Sequence, residues 1–493
     1  SFPLLFIFNY NKDELHVSEL IIPMLIFLSS FKILMLFFIN ILKDDKKAGV
    51  FLLAFILVFF FYDNFFDFLI PYRDWPILTD LNQFLICTSI IILLITFVFL
   101  KKLDISIQIV NFLNIVGISL VLINVVDFTI YNIFQDHISK GSLSQARTDP
   151  NYISQNNAFK DTNEFRDIYF IVLDGYPSTD VLMEYYNYNN QPFINSLKSK
   201  DFYIAEESRT NYPSATFLSL ASTLNMKYIN YLSKGIDNVN NFKDRKIPYE
   251  MIKNSKIASS LKYYGYKYVH FKSTWGPTDY NAYADINLGG PHSLALSQLN
   301  NEFNMVIARS TILREWLKKN NYHSLHSDQI LFNLNKISEL KSISNPKFVF
   351  AHIFSPHPPY VFDENGNTPD SLDMNYSGNE NESRVAFINQ LKFVNKKIIL
   401  AITKILDESK IKPIIVIQGD HGWGESLIER INILNAMYLP NGGNDFLYKE
   451  ISPVNTFRLI LNFYFEENYN ILEDRHYNSS INSPYKFIDV TGG

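Results

Sequence analysis

Hydrophobic residues crowd into the first 135 positions of this chain, where four long apolar stretches alternate with short polar loops. The stretches cover residues 20–42, 50–70, 83–100 and 107–130, each near the roughly 20 residues that a helix needs to cross a bilayer. Four such runs in succession are not typical of buried helices in a soluble domain. The pattern therefore predicts a transmembrane domain over residues 1–135.

Lysine and arginine residues in the short loops predict the orientation of these spans, since basic loops tend to stay in the cytoplasm. The loop after the first span reads KDDKK and the loop after the third begins KK, whereas the loop between them holds one arginine, Arg73. We therefore expect everything after about residue 135 to be extracytoplasmic. Because the sequence starts directly inside the apolar run SFPLLFIFNY, we also expect the domain to be truncated at its N-terminus.

The second half of the chain alternates short apolar runs with helical patterns. Residues 136–166 are polar, with turn formers and no apolar period, and indicate a linker. The alternation beyond it predicts an α/β domain with a largely parallel central sheet over residues 167–493. The predicted strands are 168–173, 267–271, 347–353 and 413–419, and the predicted helices include 217–224, 251–264, 325–342 and 383–408.

Composition narrows the classes of function. The 493 residues carry a formal net charge of -5, so no basic excess indicates a nucleic-acid partner. The single cysteine, Cys87, lies inside an apolar run. A disulfide framework and a cysteine-ligated zinc site are therefore both excluded.

Candidate chemistry gathers where predicted strands end, the edge at which open α/β sheets place their ligands. The run IYFIVL ends at Asp174, and PIIVIQG ends at Asp420 and His421 in the motif GDHG. Asp174 alone also fits a turn former. A carboxylate beside an imidazole suits Zn²⁺ or Mn²⁺. A third run, KFVFAHIFSPHPPY, brings His352 and His357 to a strand end.

The segment RTNYPSATFLSLASTLNM reads as a loop that leads into a helix. Free N–H groups and the helix dipole favour an anion at such a helix start. A hydroxyl placed there is either a capping residue or a nucleophile activated by a metal, with the amides holding phosphate oxygens. The residues alone leave both interpretations open.

Four motifs in this order resemble the alkaline phosphatase superfamily: strand-Asp-Gly-Tyr, a threonine loop at a helix start, SPHPPY and GDHG. More closely, the chain resembles the membrane-anchored, sulfatase-like branch that includes lipoteichoic acid synthases and phosphoethanolamine transferases. The resemblance covers about residues 165–493. It departs at the first metal-ligand position along the chain, which is Asp174 here and often glutamate in those relatives. Either residue supplies an anionic oxygen.

The resemblance implies one divalent metal ion, zinc or manganese, held by Asp174, Thr216, Asp420 and His421. It also implies that Thr216 is the nucleophile; Thr216 is preferred to Ser214 by counting back from SLASTLN. By the same likeness His357 contacts the phosphate, and His352 is a weaker candidate for a substrate contact or a second metal.

The implied function is an integral membrane enzyme of a bacterial-type plasma or inner membrane. It would transfer a phosphorus-bearing headgroup from a membrane lipid, through a covalent Thr216 intermediate, to an envelope glycan or lipid. The formylglycine mechanism of sulfatases is not expected. It needs a cysteine or serine in the signature C/S-x-P-S/A-R, whereas the only cysteine here is Cys87 and the segment YPSATF lacks the arginine. The alternatives are a sulfatase-like or phosphodiester hydrolase of the same fold and a non-catalytic membrane protein that binds a glycan.

Overall fold

The chain forms two compact units, Ser1–His137 with Ala295–Tyr322, and Ile138–Leu294 with His323–Gly493. A computed structural model describes residues 2–11, 17–69, 72, 80–147, 165–234, 239, 243–290, 302–313, 322–343, 346–369 and 380–492. The helices are α1 Phe2–Tyr10, α2 Val17–Leu42, α3 Asp45–Phe60, α4 Tyr62–Leu69, α5 Leu81–Lys102, α6 Ile107–Arg147, α7 Thr179–Tyr186, α8 Gln191–Lys198, α9 Thr216–Asn225, α10 Lys246–Lys253, α11 Lys256–Tyr263, α12 Gly276–Asp279, α13 Glu302–Arg309, α14 Tyr322–Lys336, α15 Glu380–Glu408, α16 Leu427–Ile431 and α17 Pro453–Phe465. The strands are β1 Ile168–Leu173, β2 Tyr203–Ile204, β3 Lys267–Phe271, β4 Ile286–Leu288, β5 Lys347–Ile353, β6 Ile414–Gly419, β7 Asn435–Tyr438, β8 Tyr477–Ser480 and β9 Ser483–Asp489.

Among the described residues of the first unit, three helices are long and apolar enough to cross a membrane: Glu19–Leu42, Leu81–Lys102 and Ile107–Ile130. They coincide with three of the four predicted spans. The predicted span 50–70 is corrected, because the structure divides it into α3, of 16 residues, and α4, of 8 residues. At 1.5 Å per residue α3 is about 24 Å long, shorter than the roughly 30 Å hydrocarbon core. The break falls at Phe61, where the apolar run gives way to polar Asp63 and Asn64.

Two segments depart from the predicted domain plan. Helix α6 continues to Arg147, so residues 136–147 of the predicted linker are helical. That stretch contains no proline, and the helix ends shortly before Pro150; residues 148–164 lie outside the described residues. Residues 295–322 group with the first unit, because Phe303 of α13 packs against Phe8 with ring centroids 5.5 Å apart.

A seven-stranded sheet organises the second unit, in the order β2-β7-β6-β1-β5-β3-β4. Strands β6, β1, β5, β3 and β4 run parallel, whereas β7 is antiparallel to β6 and β2 to β7. The prediction of an α/β domain with a largely parallel sheet is confirmed. Strands β8 and β9 pair separately. Leu173 pairs with Ile353 on one side and Gly419 on the other, so β5, β1 and β6 end side by side.

The core lies on both faces of this sheet. All six residues of β1 are buried. Ile168, Phe170 and Val172 belong to the cluster on one face. Their alternating neighbours, such as Ile171, belong to the cluster on the other face. This two-sided burial explains why the central strands read as continuous apolar runs instead of alternating ones.

The predicted helices 217–224 and 383–408 correspond to α9 and α15, each extended by a few residues. Two other predictions are corrected. The predicted helix 251–264 is divided, because the Ser255 hydroxyl accepts the Ala258 N–H 3.2 Å away and starts α11 as an N-cap. The predicted helix 325–342 ends at Lys336, and the buried Ile337 and Leu340 lie beyond its end.

Candidate metal and nucleophile site

Two carboxylates and one imidazole come together at the ends of β1 and β6. Asp174 follows β1, and Asp420 and His421 follow the adjacent, aligned β6. Each offers one ligand atom, these atoms lie within 4.8 Å of one another, and all three residues are buried. The strand register thus unites residues that are nearly 250 positions apart in sequence.

The two carboxylates have unpaired oxygens. Oδ1 of Asp420 accepts the Gly175 N–H at 3.0 Å. Among the described residues, neither Asp174 oxygen nor Oδ2 of Asp420 has a hydrogen-bond partner, although all are buried. Burial, reinforced by the Asp420 charge, raises the pKa of Asp174 well above its ordinary value. Such orphaned acceptors are costly in a protein interior unless a cation satisfies them.

His421 is held in the form that binds a cation. Its Nδ1–H donates to the Gly422 carbonyl at 2.7 Å, which leaves Nε2 unprotonated beside the carboxylates. Nε2 lies 3.4 Å from Oδ2 of Asp420 and 3.8 Å from Oδ1 of Asp174. Burial lowers the pKa of His421 well below its ordinary value, so the ring is neutral at physiological pH.

Thr216 is the first residue of α9, and its hydroxyl reaches this cluster. Oγ1 of Thr216 lies 3.0 Å from Nε2 of His421, and the side chain is half-buried. The neighbouring candidate, Ser214, is engaged elsewhere, with Oγ 2.7 Å from Oγ of Ser479. The geometry therefore associates Thr216, and not Ser214, with the ligand cluster.

Two glycines of the GDHG motif allow close backbone contact around Asp420 and His421. A Cβ at Gly419 would lie 2.3 Å from the Tyr176 carbonyl oxygen, and a Cβ at Gly422 would lie 2.0 Å from that of Glu429. No side chain fits at either distance. These two positions therefore fix the path of the chain on both sides of Asp420 and His421.

Two hydroxyl residues that the sequence did not single out, one of them in α9, bind the backbone at Asp420. Thr210 and Ser219 both donate to the Asp420 carbonyl, each at 2.6 Å. Ser219 lies three residues after Thr216 and hence on the same helix face, a spacing that was visible in the sequence. Thr210 carries no such signal, because its contact arises only in the folded chain.

His357 lies beside the cluster. Its backbone N–H donates to the Asp174 carbonyl at 3.0 Å, and its Nδ1–H donates to the Pro358 carbonyl at 2.6 Å. The half-buried ring lies 4.6 Å from the Trp423 ring and 6.3 Å from the His421 ring, centroid to centroid. Burial lowers the pKa of His357, so its Nε2 lone pair is free. Its contact with phosphate stays a prediction.

His352 contacts Asp174 from inside the domain. It has no exposed surface, its Nε2 lies 3.2 Å from Oδ2 of Asp174 without hydrogen-bond geometry, and its Nδ1 lies 2.9 Å from Oγ1 of Thr278. The contact that the structure shows is thus with the carboxylate of Asp174. Contact of His352 with a substrate or a second metal stays a prediction.

No family model and no curated protein matches this chain. Its structure is similar to that of the integral membrane lipooligosaccharide phosphoethanolamine transferase A (EptA) from Neisseria meningitidis, with 11% identity and a TM-score of 0.41 over 76% of this chain and 69% of that one. It is also similar to the C-terminal periplasmic domain of EptC from Escherichia coli in complex with zinc, with 12% identity and a TM-score of 0.41 over 67% and 94%. A third similar structure is a putative sulfatase from Bacteroides fragilis, with 13% identity and a TM-score of 0.40 over 66% and 84%.

These neighbours are enzymes of the two classes that the sequence motifs resemble, phosphoethanolamine transferases and sulfatases.

Proposed function

We propose that this protein is a metal-dependent membrane phosphotransferase that moves a phosphorus-bearing headgroup from a lipid to an envelope glycan or lipid. One observation carries the proposal. The Thr216 hydroxyl lies 3.0 Å from the imidazole of His421, and beside that imidazole stand two buried carboxylates with unpaired oxygens. A hydroxyl next to a cluster of metal-ligating groups is the arrangement that metal-assisted phosphoryl transfer requires.

The residues present fit a divalent cation. Asp174, Asp420 and His421 offer carboxylate oxygens and a neutral imidazole nitrogen, a donor set that suits zinc or manganese. The orphaned oxygens of both acids supply the independent test of fit. We propose that these three residues and Thr216 hold one such ion. When bound, such an ion would lower the pKa of the Thr216 hydroxyl and neutralise charge on the transferred group.

The chain's own groups then perform two displacements. In the first, Oγ1 of Thr216 bonds to the donor phosphorus, the bond from phosphorus to the lipid alcohol breaks, and that alcohol leaves with a proton. In the second, an acceptor hydroxyl bonds to phosphorus and gives up its proton, the bond to Thr216 breaks, and the threonine hydroxyl is restored. The N-terminal N–H groups of α9 favour the negative phosphate oxygens throughout, and we assign His357 a contact with the same oxygens.

Mass spectrometry of the purified full chain tests this proposal. The protein is incubated with Zn²⁺ or Mn²⁺ and vesicles of phosphatidylethanolamine or phosphatidylglycerol, then digested. We expect a headgroup-phosphate adduct on the peptide that contains Thr216, and none in Thr216→Val. Ser214→Ala is the matched control and should keep the adduct. An adduct that persists in Thr216→Val would overturn the assignment.

The same experiment separates transferase from hydrolase and from a binding protein. If acceptor vesicles or glycans accelerate the loss of the adduct and gain the headgroup, the protein is a transferase. If water removes it at the same rate without acceptor, it is a hydrolase that uses the same residues. Binding of vesicles without any adduct is the outcome expected of a non-catalytic protein.

The three apolar helices make this a membrane protein, and we propose that the second unit faces the outside of the membrane. Single cysteines at Lys46 and Lys412, in a Cys87→Ser background, test the orientation with a membrane-impermeant thiol reagent. We expect labelling at position 412 in intact cells and at position 46 only after lysis. The opposite pattern would place the catalytic unit in the cytoplasm.

A further inference from the structure

Arg430 connects the loop that leads to the nucleophile with the loop that carries the metal ligands. Its Nε donates to the Pro213 carbonyl at 2.9 Å, and its Nη2 donates to the Ser214 carbonyl at 3.3 Å. Its own backbone carbonyl accepts the N–H of Gly422 at 2.7 Å. A single residue therefore holds both sides of the contact on which the proposed chemistry depends.

The position of Arg430 is itself well fixed. It lies in α16, a five-residue helix that begins with a capping box: the Ser426 hydroxyl accepts the Glu429 N–H at 3.2 Å, and the Glu429 carboxylate accepts the Ser426 N–H at 3.0 Å. Such a short helix depends on these contacts, since an isolated turn is not stable in water. The tight approach of Glu429 to Gly422 then ties α16 to the ligand loop.

The chemistry at this position calls for a guanidinium group. Two donors of a planar fork reach two successive carbonyls, Pro213 and Ser214, at the same time. An ammonium group is a single point of charge on a flexible stem and does not reproduce that geometry. Two carbonyls held this way fix both the position and the direction of the chain as it enters α9.

We propose that Arg430 is a positioning residue, which sets the distance between Oγ1 of Thr216 and Nε2 of His421. The catalytic consequence of this inference rests on the function proposed above, whereas the positional part does not. A displacement of about 1 Å between reacting groups lowers rates by on the order of 100-fold. Loss of the fork is thus expected to slow the first displacement without weakening the binding of the donor.

Arg458 is the control, because it contacts the C-terminal end of α9, whereas Thr216 lies at the N-terminal end. Its Nε donates to the carbonyl of Met226, the C-cap of α9, at 2.8 Å, and its Nη1 donates to the Asn470 carbonyl at 2.7 Å. It is therefore also a guanidinium group that binds a backbone carbonyl of α9, but with one bond instead of two and at the end away from Thr216.

The test compares Arg430→Lys with Arg458→Lys in the full chain by hydrogen exchange and by single-turnover formation of the Thr216 adduct. For Arg430→Lys we expect faster amide exchange around residues 211–216 and an adduct rate about 10- to 100-fold lower, at an unchanged apparent Kd for the donor vesicles. For Arg458→Lys we expect faster exchange near residue 226 and an adduct rate within about twofold of wild type per folded molecule. If Arg430→Lys does not fold, Arg430→Gln is measured in the same way.

Unchanged exchange around residues 211–216 in the Arg430 variant would overturn the positional inference. Lost protection with a wild-type adduct rate would overturn its catalytic part. Absence of any adduct in the wild-type protein would instead refute the proposed function, and the exchange data would still decide whether Arg430 positions the loop.

Discussion

Gly422→Ala is the substitution whose effect the structure fixes most directly. An added Cβ would lie 2.0 Å from the carbonyl oxygen of Glu429 and 3.1 Å from its carbonyl carbon. Ordinary contacts begin at 3.4 Å, so the two backbone segments must separate by about 1.4 Å (3.4 − 2.0). The obstacle is backbone and not the end of a flexible side chain, so rotation of a side chain does not relieve it.

This separation acts on His421, the residue directly before the glycine. Its Nδ1–H donates to the Gly422 carbonyl, and that bond sets the direction of Nε2. We expect the free energy of unfolding to fall by about 1–3 kcal/mol, as for other overpacked sites. We expect the affinity for Zn²⁺ to fall about 10- to 100-fold, as when a group that orients a ligand is lost.

Isothermal titration with Zn²⁺ and thermal unfolding of the full chain in detergent measure both effects. Gly290→Ala is the control, because a Cβ there would meet its nearest neighbours, Gln329 and Phe332, at an ordinary 3.5 Å. It should leave zinc affinity and Tm near the wild-type values. If Gly422→Ala bound zinc as tightly as the control, the site would not depend on the close approach of these two loops.

Three further outcomes follow from the same contacts. Asp174→Asn should abolish zinc binding. It should nevertheless raise the Tm of the metal-free protein, measured in chelator, because it removes a buried carboxylate beside a second one. A lower Tm would contradict this reasoning. Ser219→Ala removes one of two donors to the Asp420 carbonyl, so it should lower the free energy of unfolding by about 1 kcal/mol and slow adduct formation. The control Ser222→Ala loses a bond from the same helix to the Lys227 carbonyl and should lower only Tm. Equal adduct rates in the two variants would contradict a role of Ser219 in alignment. Burial lowers the pKa of His270 from 6.5 to about 4, so between these values the unfolded chain binds a proton that the folded chain does not, and stability falls as pH falls through that window. His270→Gln should make this decline in the free energy of unfolding shallower by up to about 1.4 kcal/mol per pH unit, and an unchanged slope would contradict the assignment.

The central strands were predictable because each is a buried apolar run with a clear stop. Strands β1, β3 and β5 have the predicted bounds, and β6 starts one residue later than predicted. The short strands β2, β4 and β7 were not predicted, since segments such as NAMY and INL lack a pattern and gain strand geometry only from their neighbours in the sheet. The division of the second predicted membrane span was missed because apolar content alone does not report a break in a helix.

The candidate site divides in the same way. Asp174, Asp420 and His421 were predicted because each follows a strand, and parallel strands end at one edge of the sheet. The two carbonyls that Arg430 holds lie more than 200 positions from it, and no local pattern announces that pairing. Sequence periodicity identifies groups at the ends of elements, whereas the groups that align them with one another emerge only from tertiary contacts.

The burial of two acids at this edge is best understood as a cost that a bound cation offsets. In the described residues, three carboxylate oxygens of Asp174 and Asp420 are buried without a hydrogen bond, while two hydroxyl groups donate to the Asp420 carbonyl a few atoms away. A sequence selected only for stability would have paired those carboxylates or replaced them by apolar groups, since isolated buried charges are among the most destabilising features of a protein interior. The donors instead fix the backbone and leave these three carboxylate oxygens without a hydrogen bond. That division is expected of residues that bind a cation, and it is why we expect the metal-free Asp174→Asn protein to be more stable than the wild type and unable to bind zinc.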